Sequence, residues 1–195
     1  MPIKNPADRW GGVSITLHWL TALMVVGLVV VGLLMQELST SPTKIQVYGL
    51  HKSIGLTVLA LTVLRLIWRL AAGVPAPVPG MPPWQRWAAS ASHGLLYVIL
   101  LAMPLSGWLY NSASGFPLKW FGLFAVPKLG GYDVDVKAFA LAAHETLFLV
   151  LSVIVTVHAL AALKHHYFDR DRTLVRMLPL LSPPAPAAPD DHPGA

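Results

Sequence analysis

Histidines are the residues of this chain with the clearest capacity for chemistry, and two of them lie in one long apolar stretch. The stretch runs from Ala143 to His166, AHETLFLVLSVIVTVHALAALKHH, and carries His144 and His158 fourteen residues apart. Fourteen helical residues turn through about 1400°, about 40° short of four full turns, so both imidazoles project from nearly the same face. They are separated by roughly 21 Å along the axis. One helix face therefore offers two nitrogen ligands at two depths.

Composition indicates that this helix crosses a membrane. The chain has 195 residues, of which 55% are hydrophobic and 12% charged, whereas soluble domains carry about 25% charged residues. The absence of cysteine excludes disulfides, thiolate metal sites, iron–sulfur clusters and covalently attached c-type haem. The basic residues flank apolar runs instead of forming a stripe, so we expect no nucleic-acid partner.

Four apolar runs approach the ~20 residues that cross a bilayer. They predict transmembrane helices at about 13–35, 47–71, 89–110 and 138–163. We assign residues 1–179 to one membrane domain and expect a disordered Pro- and Ala-rich tail over 180–195. Five prolines within Gly73–Trp84 predict a stiff, non-helical connector. We also expect a short interfacial helix around Pro117–Phe124 and a basic helical extension after the fourth span.

The distribution of Lys and Arg predicts the orientation, because cytoplasmic loops are enriched in both. Four spans place both termini and the Pro-rich connector on one side. That side has nine basic residues, namely Lys4, Arg9, Arg65, Arg69, Arg86, Lys164, Arg170, Arg172 and Arg176. The other side has five, namely Lys44, Lys52, Lys119, Lys128 and Lys137. Both termini are therefore predicted to be cytoplasmic.

Depth pairs the histidines of the four spans. With this orientation His18 and His158 both lie near the cytoplasmic face, and His51 and His144 both lie near the outer face. An ionisable residue inside a membrane is expensive and indicates function. His93, in the third span, also falls at the cytoplasmic level, so it competes with His18 as the partner of His158.

Two histidines at one depth predict a b-type haem, because neutral imidazoles are common axial ligands of haem iron. Small residues such as Gly27, Gly32 and Gly55 let helices approach a macrocycle closely. A di-iron carboxylate site is excluded, because the first three spans contain no inward acidic residues and the required Glu-x-x-His pairs are missing. The predicted fold class is thus an all-α membrane protein, a four-transmembrane-helix bundle with haem groups between its helices.

Several motifs resemble the bacterial cytochrome b561 family, over about residues 9–179. They are SITLHW (14–19), GLHKSIG with VLRLIWRL (49–70), SHGLLY (92–97), AHETL (143–147) and VHALAALKHHYFDRDRTLVRMLP (157–179). The resemblance implies a small cytochrome of the bacterial inner membrane with two haem b groups. It implies the pairs His18–His158 and His51–His144 as iron ligands and no ligand role for His93.

The family also implies electron transfer between the haems and a quinone. The HHYF and RMLP segments resemble the superoxide oxidase subgroup, which passes electrons from superoxide outside to ubiquinone. His165 inherits the quinone-site role from this resemblance; the alternative is that His165 and His166 are solvated interfacial residues. Arg65 and Arg69 are interpreted as interface anchors that snorkel, with contact to a haem propionate or a quinone as the second interpretation.

Lysines on the outer side offer a means of attracting a small anion. Lys52 follows His51 directly, and with the other four outer lysines it could form a positive funnel for superoxide; ordinary surface lysines are the alternative. Two other functions stay open. One is an electron-transfer subunit for a periplasmic redox partner or dehydrogenase. The other is a non-redox membrane binding or scaffold protein. The sequence leaves the oligomeric state undetermined.

Overall fold

Four long helices make up most of the structure, a computed structural model that describes residues 2–181. They are α1 (Gly12–Glu37), α2 (Pro42–Ala72), α3 (Pro83–Ala113) and α4 (Val134–Tyr167). Each is long and apolar enough to cross a membrane. The predicted all-α bundle of four transmembrane helices is therefore confirmed. The predicted tail lies outside the described residues from position 182 onward.

All four helices extend beyond the predicted spans, and in α2 and α4 a polar side chain caps the added first turn. At the start of α2, the side chain of Ser41 accepts a hydrogen bond from the backbone of Lys44, and Pro42 occupies the first turn. At the start of α4, the Asp133 carboxylate accepts from two backbone N–H groups of the first turn. Such caps satisfy backbone donors that would otherwise be unpaired.

A compact apolar core lies at the middle of the bundle, and every helix contributes to it. Its buried members are Val25 from α1, Val58 from α2, Ile99 and Leu100 from α3, and Leu151 from α4. Large apolar side chains also cover the outside, with Leu23 68% exposed and Leu149 64% exposed. Such a surface would be unfavourable in water and suits contact with lipid.

The N-terminal segment, the Pro-rich connector and the C-terminal segment meet at one end of the bundle. Asn5 donates a side-chain hydrogen bond to the Gly73 carbonyl at 2.7 Å. The Arg176 guanidinium donates to the Ala76 carbonyl at 2.7 Å, over a sequence separation of 100 residues. The connector is non-helical between Ala72 and Pro83, as its prolines predict. We call this end of the bundle proximal and the opposite end distal.

The expected interfacial helix at Pro117–Phe124 is wrong, because this segment forms a β-hairpin. Strand β1 (Leu118–Trp120) pairs antiparallel with β2 (Phe124–Val126). The turn uses positive φ at Phe121 (46°) and Gly122 (76°), and glycine adopts that conformation at little cost. The hairpin is anchored on α2, where Ser53 accepts from the Phe121 N–H at 2.9 Å. Local composition did not reveal this partner on a distant helix.

The expected helical extension after the fourth span is also wrong. Helix α4 ends at Tyr167, and the chain reverses at Arg170, whose φ is 51°. The Asp171 carboxylate then accepts the Thr173 N–H at 2.7 Å. An Asp that bonds the backbone two residues ahead competes with helix formation, so residues 171–181 form a series of turns.

Candidate functional site

A spacing of seven residues, repeated twice on every helix, divides the bundle interior into levels. Seven residues leave a side chain only about 20° from its starting direction, so such positions share a face. On α4 the central residue is Leu151, seven residues from both His144 and His158. On the other three helices the central residues are Val25, Val58 and Leu100. The residues seven positions before and seven positions after each of them share its face. All four central residues belong to the apolar core.

Two layers flank this core. The proximal layer consists of His18, Arg65, His93 and His158, one residue from each helix. The distal layer consists of Gly32, His51, Gly107 and His144, again one from each helix. The layers therefore match in register but differ in chemistry. The positions on α1, α2 and α3 hold Gly, His and Gly in the distal layer, and His, Arg and His in the proximal layer.

The two histidines of the distal layer face each other. Their ring centres are 6.4 Å apart and their planes are inclined by 70°. The Nδ1 atom of His144 lies 3.1 Å from the Met103 carbonyl oxygen and 3.1 Å from the Ser106 hydroxyl. A carbonyl only accepts, so Nδ1 carries the proton and Nε2 keeps its lone pair. This is the hydrogen bond that orients metal-binding histidines.

The glycines of the distal layer provide the space for these rings. A Cβ atom on Gly32 would lie 3.3 Å from Cε1 of His51. A Cβ atom on Gly107 would lie 3.2 Å from Cε1 of His144. Both distances are shorter than an ordinary carbon–carbon contact. The Nδ1 atom of His51 is buried without a hydrogen-bond partner among residues 2–181, which costs about 1–3 kcal/mol unless a ligand engages it.

A groove opens beside the distal pair, with a cavity volume of about 130 Å³. Its walls are mainly apolar, and include Val25, Leu28, Val29, Leu33, Val58, Leu100, Phe148 and Leu151. The histidines of the distal layer, Gln36 and Glu145 supply its polar side chains. A largely apolar cleft with a few converging polar groups is typical of a cofactor site.

The proximal layer brings three histidines together. The ring centres of His18 and His158 are 6.4 Å apart, the same separation as in the distal pair. The rings of His93 and His158 are closer, at 5.4 Å. The side chain of His93 therefore belongs to this layer as well, as its depth in the third span predicted.

Two arginines of α2 reach the same layer. The Arg65 guanidinium lies 3.0 Å from Nδ1 of His18 and 5.4 Å from the centre of the Tyr97 ring. Arg69, one turn further along α2, lies 5.9 Å from the same ring. Interpreting Arg65 as a snorkelling interface anchor is therefore wrong, since its head group is directed at a histidine inside the bundle.

Both equal separations fit two axial imidazoles on one metal. An imidazole nitrogen binds a transition metal at about 2.0 Å, and the ring centre lies ~1.1 Å behind that nitrogen. Two imidazoles on opposite sides of one metal therefore have ring centres about 6 Å apart. The observed 6.4 Å of His18–His158 and His51–His144 agrees with this. The 5.4 Å between His93 and His158 is too short. The residues present thus fit two bis-histidine metal centres.

Lys52 lies at the distal end but is not an open surface group. Its Nζ donates to the Asn111 side-chain oxygen at 2.8 Å, and Asn111 is only 4% exposed. Two other distal lysines are also held, since Lys44 donates to the Leu38 carbonyl and Lys128 to the Gly115 carbonyl. These contacts fix positive charges near the mouth of the distal layer; a role in attracting an anion stays a prediction.

His165 occupies the proximal end of α4, seven residues beyond His158. Its Nδ1 lies 2.8 Å from an Asp171 carboxylate oxygen and 3.0 Å from one of Asp169. Carboxylates accept, so Nδ1 carries a proton and Nε2 is directed elsewhere. The structure thus places an oriented imidazole two turns from the proximal layer, and its role with a quinone stays a prediction.

Sequence reasoning paired the four histidines but missed the residues that support them. The missed group consists of Gly107, Met103, Ser106 and Tyr97, together with the inward position of Arg65. A signal was available, because applying the fourteen-residue interval of α4 to the other helices selects Gly32, Arg65 and Gly107. The Met103 carbonyl could not be predicted from the residue type, because every residue has a backbone carbonyl.

The chain matches, over residues 9–180, the family described as prokaryotic cytochrome b561. It is 39% identical over 180 residues to Cytochrome b561 homolog 2 of Escherichia coli (strain K12), covering 91% of this chain and 95% of the relative. It is 34% identical to Cytochrome b561 homolog 1 of the same organism, covering 88% and 98%. It is 28% identical to the Probable superoxide oxidase CybB of Yersinia pestis, covering 88% and 96%.

These similarities span nearly the whole membrane domain and include all four helices. Proteins of this family are membrane electron carriers that bind haem b. The matched fold, the four spans and the two histidine layers lead to one conclusion. The chain belongs to the prokaryotic cytochrome b561 family and is a multi-pass membrane protein of electron transfer.

Proposed function

We propose that the chain holds two haem b groups, one bound by His51 and His144 and the other by His18 and His158. The observation that carries this proposal is the repeated 6.4 Å separation of two histidine rings at levels fourteen residues apart on α4. Haem b would supply a centre that accepts and releases single electrons. Separate ligand pairs then give two such centres, roughly 21 Å apart along the helix axis.

The protein's own residues prepare the distal pair for ligation. The Met103 carbonyl holds His144 in the tautomer whose Nε2 can bind iron, and Gly107 leaves room for the ring. Apolar walls line most of the groove, and such low-dielectric surroundings strengthen electrostatic interactions within it. These features hold the His144 ring in one orientation on a rigid helix.

The proposed electron donor is superoxide, arriving on the periplasmic side of the bacterial inner membrane. The excess of Lys and Arg at the proximal end supports cytoplasmic termini, so the distal end faces the periplasm. Superoxide is an anion, and the Lys52 ammonium is fixed next to His51 by Asn111. A positive charge at a site mouth raises the local concentration of an anion. Each superoxide gives up one electron and leaves as O₂.

The proposed acceptor is ubiquinone at the proximal end, near His165. One ubiquinone takes two electrons and two protons to become ubiquinol, so two superoxide anions are consumed for each ubiquinol. The pairing of His165 Nδ1 with Asp171 holds the ring in place, and Nε2 donates to a quinone carbonyl oxygen when the ring carries a proton on both nitrogens. Such a doubly protonated imidazole has a proton on Nε2 that it can give to the reduced quinone.

Two measurements test this function. We expect the purified protein to show reducible b-type Soret and α bands with two haems per chain; a colourless protein would end the proposal and favour a non-redox membrane protein. We then expect superoxide to decay faster in stopped flow when protein and ubiquinone are both present than by spontaneous dismutation. Equal rates with an intact haem spectrum would instead support an electron-transfer subunit for a periplasmic partner.

A further inference from the structure

Arg65 is a cation inside the bundle, and the matching position of the distal layer has no cation. It occupies the α2 position of the proximal layer, where the distal layer has His51. Its side chain is half-buried between His18, at 3.0 Å from its Nη2, and the Tyr97 ring. Arg69 adds a second guanidinium over the same ring.

These two charges have no protein counter-ion in the part of the chain that the structure describes. The ion pairs within residues 2–181 join Arg9 to Asp8, Lys164 to Asp169, and His165 to Asp169 and Asp171. None involves Arg65 or Arg69. A guanidinium removed from water is usually paired with an anion, because its desolvation is costly. Cation–π contact with Tyr97 offsets only part of this cost.

The hydrogen bond between Arg65 and His18 is incompatible with metal binding by His18 through Nε2. A guanidinium only donates, so the Nδ1 atom of His18 accepts from Arg65. A neutral imidazole that binds iron through Nε2 carries its proton on Nδ1, where it is a donor too. The two arrangements exclude each other, so ligation by His18 requires Arg65 to release Nδ1 and makes its planar fork available to another acceptor.

We propose that Arg65, with Arg69 beside it, forms a carboxylate-binding site that receives the propionate groups of the proximal haem. This inference rests on the proposed function, since it needs a haem at His18 and His158. A propionate is a carboxylate, and the guanidinium fork binds that group through two parallel hydrogen bonds. The anion supplies the missing counter-charge, and Tyr97 keeps both guanidinium planes near it.

The test observes the propionates directly in the intact holoprotein. Cells fed carboxyl-labelled ¹³C 5-aminolevulinate make haem whose propionate carboxylates alone carry the label. Redox-induced infrared difference spectra then report those carboxylates at the reduction step of each haem. We expect Arg65→Gln to shift the labelled carboxylate bands of one step only. We also expect it to speed transfer of one haem to apomyoglobin about tenfold or more, the loss of a charge-assisted bidentate contact.

Two further variants make the result specific. Arg65→Lys keeps the charge without the fork, so we expect shifted bands with an intermediate rate of haem transfer. Arg86→Gln removes an exposed arginine bonded to the Met81 carbonyl and should change neither readout. If Arg65→Gln retains only one haem, Arg65→Lys decides: shifted bands support the proposal and unshifted bands overturn it.

The outcomes separate this inference from the proposed function. Labelled bands and transfer rates identical in the unsubstituted protein and Arg65→Gln, with two haems present in both, would overturn the carboxylate site and leave the two-haem proposal intact. Absence of haem from the unsubstituted protein would remove both. Equal shifts of both steps would also overturn the site, because Arg65 lies in the proximal layer and contacts only His18 of that layer.

Discussion

The distal layer has no arginine among its four residues, whereas the proximal layer places its histidines beside two guanidinium groups. His144 is held by a carbonyl and a hydroxyl, and the two positions of its layer that are not histidine are glycines. His18 has Arg65 at 3.0 Å. The same register of seven residues thus carries two different electrostatic environments within one bundle.

Under the proposed function, this difference would favour electron movement in one direction through the bundle. Positive charge near a redox centre favours the form with one more electron, and the groups surrounding the ligands are among the protein's means of setting a haem potential. Under the proposed function, the cations of the proximal layer favour the added electron there. Electrons that enter at the distal end would then move toward the proximal end because of this electrostatic difference alone.

Substitution of a proposed haem ligand should have the largest effect, and it tests each layer independently. We expect His144→Ala and His158→Ala each to lower the haem content from about two to about one per chain, because a bis-histidine iron that loses one axial ligand is weakly held. His93→Ala is the matched control and should keep two, since its ring is too close to His158. Pyridine haemochrome quantification measures the content; a full complement in either ligand variant would contradict the pairs.

The haem midpoint potentials of those two variants test the electrostatic difference between the layers. His144→Ala keeps only the proximal haem and His158→Ala only the distal one. We expect the midpoint potential of the former to be higher by tens of millivolts, because the guanidinium charges act on the proximal centre. Spectroelectrochemical titration gives both values. A distal centre with the higher potential would break the proposed direction of electron flow.

The glycines of the distal layer allow a substitution that should disturb only one centre. We expect Gly107→Ala to weaken the distal haem about tenfold, ~1.4 kcal/mol, because its Cβ would lie 3.2 Å from His144 and overpacking costs 1–3 kcal/mol, roughly. Gly94→Ala, on the same helix with no atom within 4 Å of the added Cβ, is the control. Competition with apomyoglobin measures the affinity. Equal behaviour of the two variants would mean that Gly107 does not shape the site.

The charge at the distal mouth should affect the donor step alone. We expect Lys52→Gln to slow superoxide oxidation several-fold and to weaken its dependence on ionic strength, since a steering charge is screened by salt. Lys4→Gln, at the proximal end, should behave like the unsubstituted protein. Stopped-flow rates at low and high salt measure both effects. An unchanged rate and salt dependence would leave Lys52 as a structural partner of Asn111.

The smallest expected effect concerns the orientation of His144. Ser106→Ala removes one of two polar neighbours of Nδ1 while the Met103 carbonyl remains. We expect the distal haem affinity to fall only about threefold to tenfold, in line with about 0.5–1.5 kcal/mol for a single hydrogen bond. Haem competition on the purified variant measures it. A loss as large as that of His144→Ala would mean that Ser106, not Met103, orients the ring.

The sequence by itself determined the four spans, their antiparallel order and the depth of each histidine. These follow from apolar run length and helical geometry, which are local properties and depend little on the rest of the chain. The same local patterns could not predict the hairpin at Leu118–Val126 or the turn at Arg170. Both depend on side chains that bind distant or competing backbone groups, as Ser53 and Asp171 do.

Only the tertiary structure decided which side chains support the histidines. Depth alone left His18 and His93 as competitors for His158, and ring separations of 6.4 and 5.4 Å distinguish them. Interior placement of Arg65 and the Met103 carbonyl facing His144 also required the packed bundle. The physical reason is that depth along a helix is fixed by residue number, whereas the direction of a side chain toward its neighbours depends on how four helices rotate against one another.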